Sequence, residues 1–496
     1  MKVKAAIGIK VPMEHQPYTY IEQVPVEVEP SIYYQRRIND GDLIVITETR
    51  SRNAVSTLPT NEQNVLIVAP MLNATKAFSA PTPIYSDVDA KNTFGAGSWA
   101  HLMARIAIQN NAMIRLTVIG LKESDSGVAA TGTITLTGTA SNAGVLKVII
   151  GGLDYAVAIA KSETAATIAA RLNAVINAGE YCPVSATVNE GTVTLTAKCK
   201  GEIGNEISVN ATLSVNDMAV NVSALANGAE NADLAAALAS VAGQHYHVII
   251  SPFADDKNAK ALREHLESVA SPVEKKPGVG VLGFNGTLAS GTTYTEKINA
   301  NRITVGWYKG AVESNALIAA GYGAVIAGEE DPAKPLNTLE IKGLTPVDAT
   351  QTPLKTEVNQ ALFHGLTPIT VVNNRVQIMR AITTYTKSPA NVDDPAWLDL
   401  TTIRTLDYTR KAIEQRIELR FPRAKLSNRT PPKVRSEILD VLYRLEQQEI
   451  LENVDANKGK LLVVRNGKDP NRLDTAIPAD VVNGLHVVAN RIDLIL

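Results

Sequence analysis

Along most of the chain, short apolar runs alternate with stripes at helical spacing, the pattern of strands buried between helices. Residues 64–69 (NVLIVA) open this pattern as a buried strand. A helix is expected over residues 98–110, with Asn92-Thr93 as its cap, and a strand over 115–119. After an interruption the pattern resumes, with helices over 229–242, 258–269 and 312–327 and strands over 245–251, 278–284 and 303–307. Such alternation predicts a mostly parallel sheet with helices on both sides.

The interruption, residues 127–227, has period two. Thr and Val alternate between glycine turns in GTITLTGT, GVLKVIIGG, YAVAIA, PVSATVNEGTVTLTAK and NEISVNATLSV, and a helix is expected over 163–178. This reads as an antiparallel sheet carrying one helix, inserted into the α/β pattern and facing outward. A two-residue hairpin loop at Glu190-Gly191 would set Cys182 opposite Cys199 at a non-hydrogen-bonded position. A disulfide is geometrically allowed there, while a reducing cytoplasm predicts free thiols packed as small hydrophobes.

Further on, Val376, Ile378, Arg380 and Ile382 alternate with Gln377, Met379, Ala381 and Thr383, which predicts a strand running to about residue 387. A Pro- and Asp-rich turn over 388–395 leads into a helix with Ile403, Leu406, Ile413 and Ile417 on its buried stripe, ending at Phe421-Pro422. On another face Arg416, Arg420 and Arg423 follow Arg410 and Lys411, with only Asp407, Glu414 and Glu418 nearby. That face is either solvated and laced with ion pairs or a docking strip for an acidic partner. A helix over 434–451 has Val434, Ile438, Val441, Leu442 and Leu445 on its stripe, and a strand is expected over 460–465. Residues 478–496 end as a long strand, with His486, Val488, Asn490, Ile492 and Leu494 opposite Val487, Ala489, Arg491, Asp493 and Ile495. At the other end, residues 1–60 read as extended and edge-like, with Tyr18, Tyr20 and Ile21 in one patch and a strand over 42–47; prolines 12, 17, 25 and 30 are taken to exclude a helix. Two such ends call for partners.

With 496 residues, 45% of them hydrophobic and 20% charged, the chain is long enough for two to four domains. Its 48 basic and 50 acidic residues leave a formal charge of −2, so no global field favours nucleic acid or an anionic membrane. No run of apolar residues is long enough to span a bilayer and no secretion signal is recognisable, which predicts a soluble chain without membrane insertion. Aromatic residues make up 5%, too few for a base-stacking platform.

Catalysis has no candidate constellation. Gly95-Ala96-Gly97-Ser98 resembles a phosphate cradle, but a Pro- and Asp-rich segment separates it from the preceding strand, so a simple helix cap is expected. His245 and His247 share a strand face, yet Asp255 and Asp256 follow the end of that strand, too far away to complete one metal site; the aspartates are expected to cap the next helix. No Gly-x-Ser-x-Gly, Walker loop or His-Glu-x-x-His occurs. No catalytic, cofactor or metal residue is assigned.

The segments RAITTY, DPAWLDL, TLDYTRKAIEQRI, FPRAKL and DPNRLDTAIPADVVNG, with TFGAGSWAHLMARIAIQNN and GTVTLTAKCKGEIGNEI before them, stand in an order that resembles the tail sheath proteins of Mu-like contractile-tailed bacteriophages. The resemblance spans roughly residues 64–496, and the first sixty or so residues depart from it. It implies a non-enzymatic structural subunit, found in the virion tail sheath and assembled in the host cytoplasm. Such subunits stack as hexameric rings around an inner tail tube and contract to drive the tube through the host envelope for genome ejection. The implied partners are copies of itself, the tube protein, and baseplate and tail terminator proteins, with no direct nucleic acid and no cofactor. Candidate arm contacts are Tyr18, Tyr20, Ile21, Ile492, Leu494 and Leu496; candidate tube contacts are Arg416, Arg420 and Arg423.

The expected fold is multidomain, α/β and α+β. An N-terminal arm (1–60) precedes a discontinuous α/β core (61–126 and 228–375) with an inserted antiparallel β-rich domain (127–227). A mixed C-terminal domain with a terminal arm (376–496) completes it. The rival reading is a hydrolytic enzyme of α/β class with an accessory β domain, acting on phosphate esters through Gly95 to Ser98 and Asp255.

Overall fold

The computed structural model describes residues 2–29, 31–45 and 58–493, and it divides into two compact units, residues 1–58 and 59–496. The first is folded rather than extended. Strand Lys2–Ala5 lies between Val26–Glu27 and Leu43–Val45, and Val11–Met13 pairs with Gln16–Ile21 as a hairpin. Helix Ile32–Asn39 begins where Ser31 accepts the Tyr34 N–H. The prolines do not exclude this helix, because all four precede its cap and none removes a donor from within it. Val3, Ala5, Val11, Ile21, Val28, Tyr34 and Leu43 form the small core. The last two positions of the strand expected over 42–47 lie outside the described residues.

The second unit is built on an eight-stranded sheet. In spatial order its strands are Arg375–Ile378, Thr367–Val372, Ile303–Trp307, Val279–Phe284, Val248–Ile250, Asn64–Pro70, Arg115–Leu121 and Thr82–Ile84. The two edge strands run antiparallel to their neighbours and the six between them run parallel. Val65 to Ala69 are all buried, as expected of a strand covered on both faces. Helix Asn315–Gly328 is buried nearly all round, and small residues let it approach the sheet closely: a Cβ on Gly283 would lie 2.1 Å from the Asn315 carbonyl oxygen. Strands from both sides of residues 127–227 meet in this sheet, where Asn64–Pro70 separates Val248–Ile250 from Arg115–Leu121.

Between them lie two antiparallel sheets rather than one. Leu153–Ile159, Gly144–Ile150 and Val209–Leu213 form a three-stranded sheet; Val184–Asn189, Thr192–Ala197, Thr131–Gly138 and Met218–Ala226 form a four-stranded one. Helix Ala165–Ala178 packs on both. The hairpin has the expected register, with Val184 opposite Ala197 and Asn189 opposite Thr192, and Glu190 takes a positive φ in its two-residue loop. Cys182 and Cys199 lie just beyond this ladder, buried and unbonded, and burial pushes the Cys199 thiol up to about 12.

Several elements are shorter than expected: the helix over 229–242 is Ala235–Ser240 and the strand over 245–251 is Val248–Ile250. Helix Leu288–Ile298 contains one Gly and three Thr, poor helix formers, and is set by Thr287, which accepts the Ser290 N–H. Strand Thr367–Val372 contains Pro368, a residue rarely found inside a sheet. Strand Arg375–Ile378 ends well before residue 387 because the chain turns to let Arg380 bind Asp399 at 2.7 and 2.9 Å. Helix Leu400–Arg420 ends before Phe421, and helix Thr430–Gln447 carries prolines in its first turn and buries the anticipated stripe of Val434, Ile438, Val441, Leu442 and Leu445. Hairpin Leu462–Arg465 and Leu473–Ala476 follows. No strand forms over 477–493.

Candidate functional site

The polar groups that resembled catalytic ones are engaged in holding the fold. Ser98, not Asn92-Thr93, caps helix Trp99–Asn110 by accepting the His101 N–H at 3.2 Å, and Asn92 and Thr93 lie inside the preceding helix Asp87–Phe94. Asp255 caps helix Asp256–Val269, accepting the Asn258 N–H at 2.8 Å, while Asp256 pairs with Lys297 at 2.9 Å. The His245 and His247 rings stack at 4.1 Å; one donates to the Pro277 carbonyl and the other accepts the Asn64 N–H. Among the described residues, no cluster of three His, Cys, Asp or Glu side chains is placed to hold a metal, and no helix is long and apolar enough to cross a membrane.

The three arginines of the basic helix do not share one exposed face. Arg416 is only 8% exposed and is held by Glu437 at 2.6 Å and by Asp440, both on helix Thr430–Gln447. Arg420 also reaches Glu437, at 3.4 Å. The acidic neighbours missing from the local sequence are therefore supplied by the next helix. Arg423 lies beyond the helix end and is exposed, as are Lys425, Arg429 and Lys433 around the turn. None of these four has an ion-pair partner among the described residues.

The two ends differ from each other. Tyr18 is 93% exposed and Tyr20 half exposed, but Ile21 is fully buried in the core of its own unit and is not available to another chain. At the other end, residues 480–482 are tied to 450–452 by backbone hydrogen bonds, and Asn337 binds His486 at 2.9 Å. Beyond them Leu485, Val487, Val488 and Ile492 are exposed, Val487 by 80% and Ile492 by 93%. Leu494 and Leu496 lie outside the described residues.

The β-rich segment is joined to the core through the start of helix Asn315–Gly328. Ser314, the N-cap residue, makes no capping bond; instead Glu206, from the β-rich segment, accepts the Asn315 N–H at 3.1 Å. Ser208 donates to the Val312 carbonyl at 2.5 Å, and a Cβ on Gly152 would lie 2.8 Å from a carboxylate oxygen of Glu313. Burial pushes the Glu206 carboxyl up to about 8, and it raises that of Glu313 as well. An acid with a raised pKa in the folded state keeps its proton where the unfolded chain has lost it. Its contribution is therefore full below about pH 4.5 and declines as pH rises towards 8. Glu206→Gln, which keeps the acceptor without the charge, is expected to match the parent protein in acid and to exceed it by up to about 1.4 kcal/mol per pH unit on going to pH 8. Urea unfolding of both proteins across that range checks this; a constant difference between them would show that Glu206 does not titrate in this window.

Residues 227–384 match the phage tail sheath protein central domain and residues 392–495 the phage tail sheath C-terminal domain. A Mu-like prophage FluMu tail sheath protein from Haemophilus influenzae is 32% identical over 470 residues, covering 90% of this chain and 96% of that protein. Among solved structures, the sheath tail protein Lin1278 of Listeria innocua is similar at a TM-score of 0.49 and 14% identity, covering 86% of this chain and 94% of that one. The helical sheath of the anti-feeding prophage in its contracted state is similar at a TM-score of 0.47 and 14% identity, covering 91% and 98%. Family members are structural proteins, which removes the hydrolase reading. With the relative's identity extending over nearly the whole of both chains, this chain belongs to the phage tail sheath family, the structural proteins of contractile tails.

Proposed function

We propose that the chain polymerises as stacked hexameric rings around an inner tail tube and contracts to drive the tube through the host envelope for genome ejection. The observation that carries this reading is the apolar tail over 485–493, which alternates like a strand yet has no strand partner among the described residues. A backbone with unpaired donors and acceptors and exposed β-branched side chains is completed by adding to the sheet of a neighbour. Tyr18 and Tyr20 on their hairpin support a second contact of the same kind. Residues 127–227 are read as an inserted outer domain between the core segments 61–126 and 228–375, with 376–496 as the polymerising domain. Assembly takes place in the host cytoplasm, with baseplate and terminator proteins at the two ends of the sheath. Negative-stain images of the purified protein test the central claim: rings or tubes are expected, and a strictly monomeric particle at all concentrations would refute it.

For the tube contact, the exposed cations of the interhelical turn carry more weight than the helix face. Arg423, Lys425, Arg429 and Lys433 combine with Arg420 in a basic patch suited to many weak contacts with an acidic tube, each worth up to about 1 kcal/mol and weakened by salt. Reversing Arg423, Lys425 and Arg429 to Glu is expected to leave folding and tube-free polymers intact while abolishing co-assembly on tubes. Co-sedimentation with tubes at physiological salt reads the outcome, and normal coating of tubes by the variant would place the contact elsewhere.

A further inference from the structure

A cavity of about 230 Å³ lies where the N-terminal ends of the core strands meet helix Leu400–Arg420, with His247 and Val279 on the sheet side and Arg404, Asp407 and Lys411 on the helix side. The partly buried carboxylates that line it are already engaged. Asp407 takes both amino groups of Arg302, at 2.7 and 2.9 Å, and Glu414 takes Arg410 and Lys275 at 3.3 Å each. Glu418 is exposed at the rim.

The donors are not used up. Arg404 is 7% exposed; its Nη2 donates to the Glu329 carbonyl, and its Nη1 has no partner among the described residues. His247 receives the Asn64 N–H at Nδ1, which places the proton of the neutral ring on Nε2, and that buried Nε2 has no partner either. Lys411 gives one hydrogen to the Thr60 carbonyl at 2.8 Å and makes no ion pair among the described residues. His247, Arg404 and Lys411 thus line one cavity, each with hydrogen-bonding capacity to spare, and a buried donor left unmet is destabilising.

We propose that this cavity binds an oxyanion of the phosphate or carboxylate class, held by the Lys411 ammonium and the His247 Nε2–H with the Arg404 guanidinium adding charge. An acceptor-only ligand satisfies all three groups together, whereas a cation or a neutral donor satisfies none. Because the site joins the sheet to the long C-terminal helix, an occupant would hold those two parts of the subunit together.

Thermal melting and calorimetry of the full-length protein with sodium phosphate, and separately with sodium succinate, each compared with sodium chloride at equal ionic strength, test the proposal. A saturable rise in melting temperature with at least one oxyanion is expected, and the arm that responds identifies the class. Lys411→Met should weaken that binding by about tenfold or more and Lys411→Arg should retain it, since a charged hydrogen bond is worth about 1.5–3 kcal/mol. In protein labelled with nitrogen-15 at histidine, the His247 Nε2–H signal should move on binding. The proposal is overturned if neither anion acts beyond chloride, or if Lys411→Met binds as tightly as the parent protein.

Discussion

A chain ending at Gly484 is expected to fold as the full protein does and to lose self-assembly altogether. Within its own subunit the described part of the removed segment contributes little: His486 binds Asn337, a bond worth about 1 kcal/mol, and Val487, Val488 and Ile492 beyond it lie in solvent. Between subunits its contribution would be large. Burying Leu485, Val487, Val488 and Ile492 against a neighbour would supply roughly 1.5–3 kcal/mol for each side chain, before counting strand hydrogen bonds. The imbalance separates folding from polymerisation. Circular dichroism should superimpose for the two chains, while sedimentation shows polymer only for the longer one. Polymers of normal yield from the truncated chain would eliminate arm exchange as the basis of assembly.

Arg416→Ala is expected to cost about 3 kcal/mol, while Arg423→Ala should fall within about 0.5 kcal/mol of the parent protein. The first figure lies below the largest values for buried pairs because Glu437 and Asp440 are partly exposed and keep Arg420 and Arg444 as partners. Urea unfolding of disassembled subunits compares the two variants. Equal stabilities would mean that the Arg416 cluster behaves as a surface pair, and the basic face would again be open to a partner. The same geometry decides which mutants can probe a tube contact. Reversing Arg416 together with Arg420 and Arg423 would set a new carboxylate against Glu437 and Asp440 and drive the two helices apart, so loss of tube binding by that variant would report on folding.

What was legible in the sequence is what neighbouring residues settle among themselves. The hairpin register around Glu190 follows from a two-residue loop, because one loop length fixes every pair above it. Asp255 as a cap and the buried stripe from Val434 to Leu445 follow from spacings of three and four along one helix. The order of motifs that marks the family is likewise a property of the chain as written.

The tertiary structure alone decided what each face meets. Arg416 looked unpaired because Glu437 and Asp440 lie 21 and 24 residues away, on a helix whose direction of return no local pattern specifies. Ile21 stands in the same kind of alternation as Tyr18 and Tyr20, yet it faces its own small core while Tyr18 faces solvent; period two separates the faces of a strand without saying which one is covered. Glu206 caps a helix 109 residues away, a partnership between two parts of the fold that only their packing creates. Periodicity records where a side chain stands on its own element, whereas burial and ion pairing depend on which other element comes to lie against it, and that is set by the packing of the whole chain.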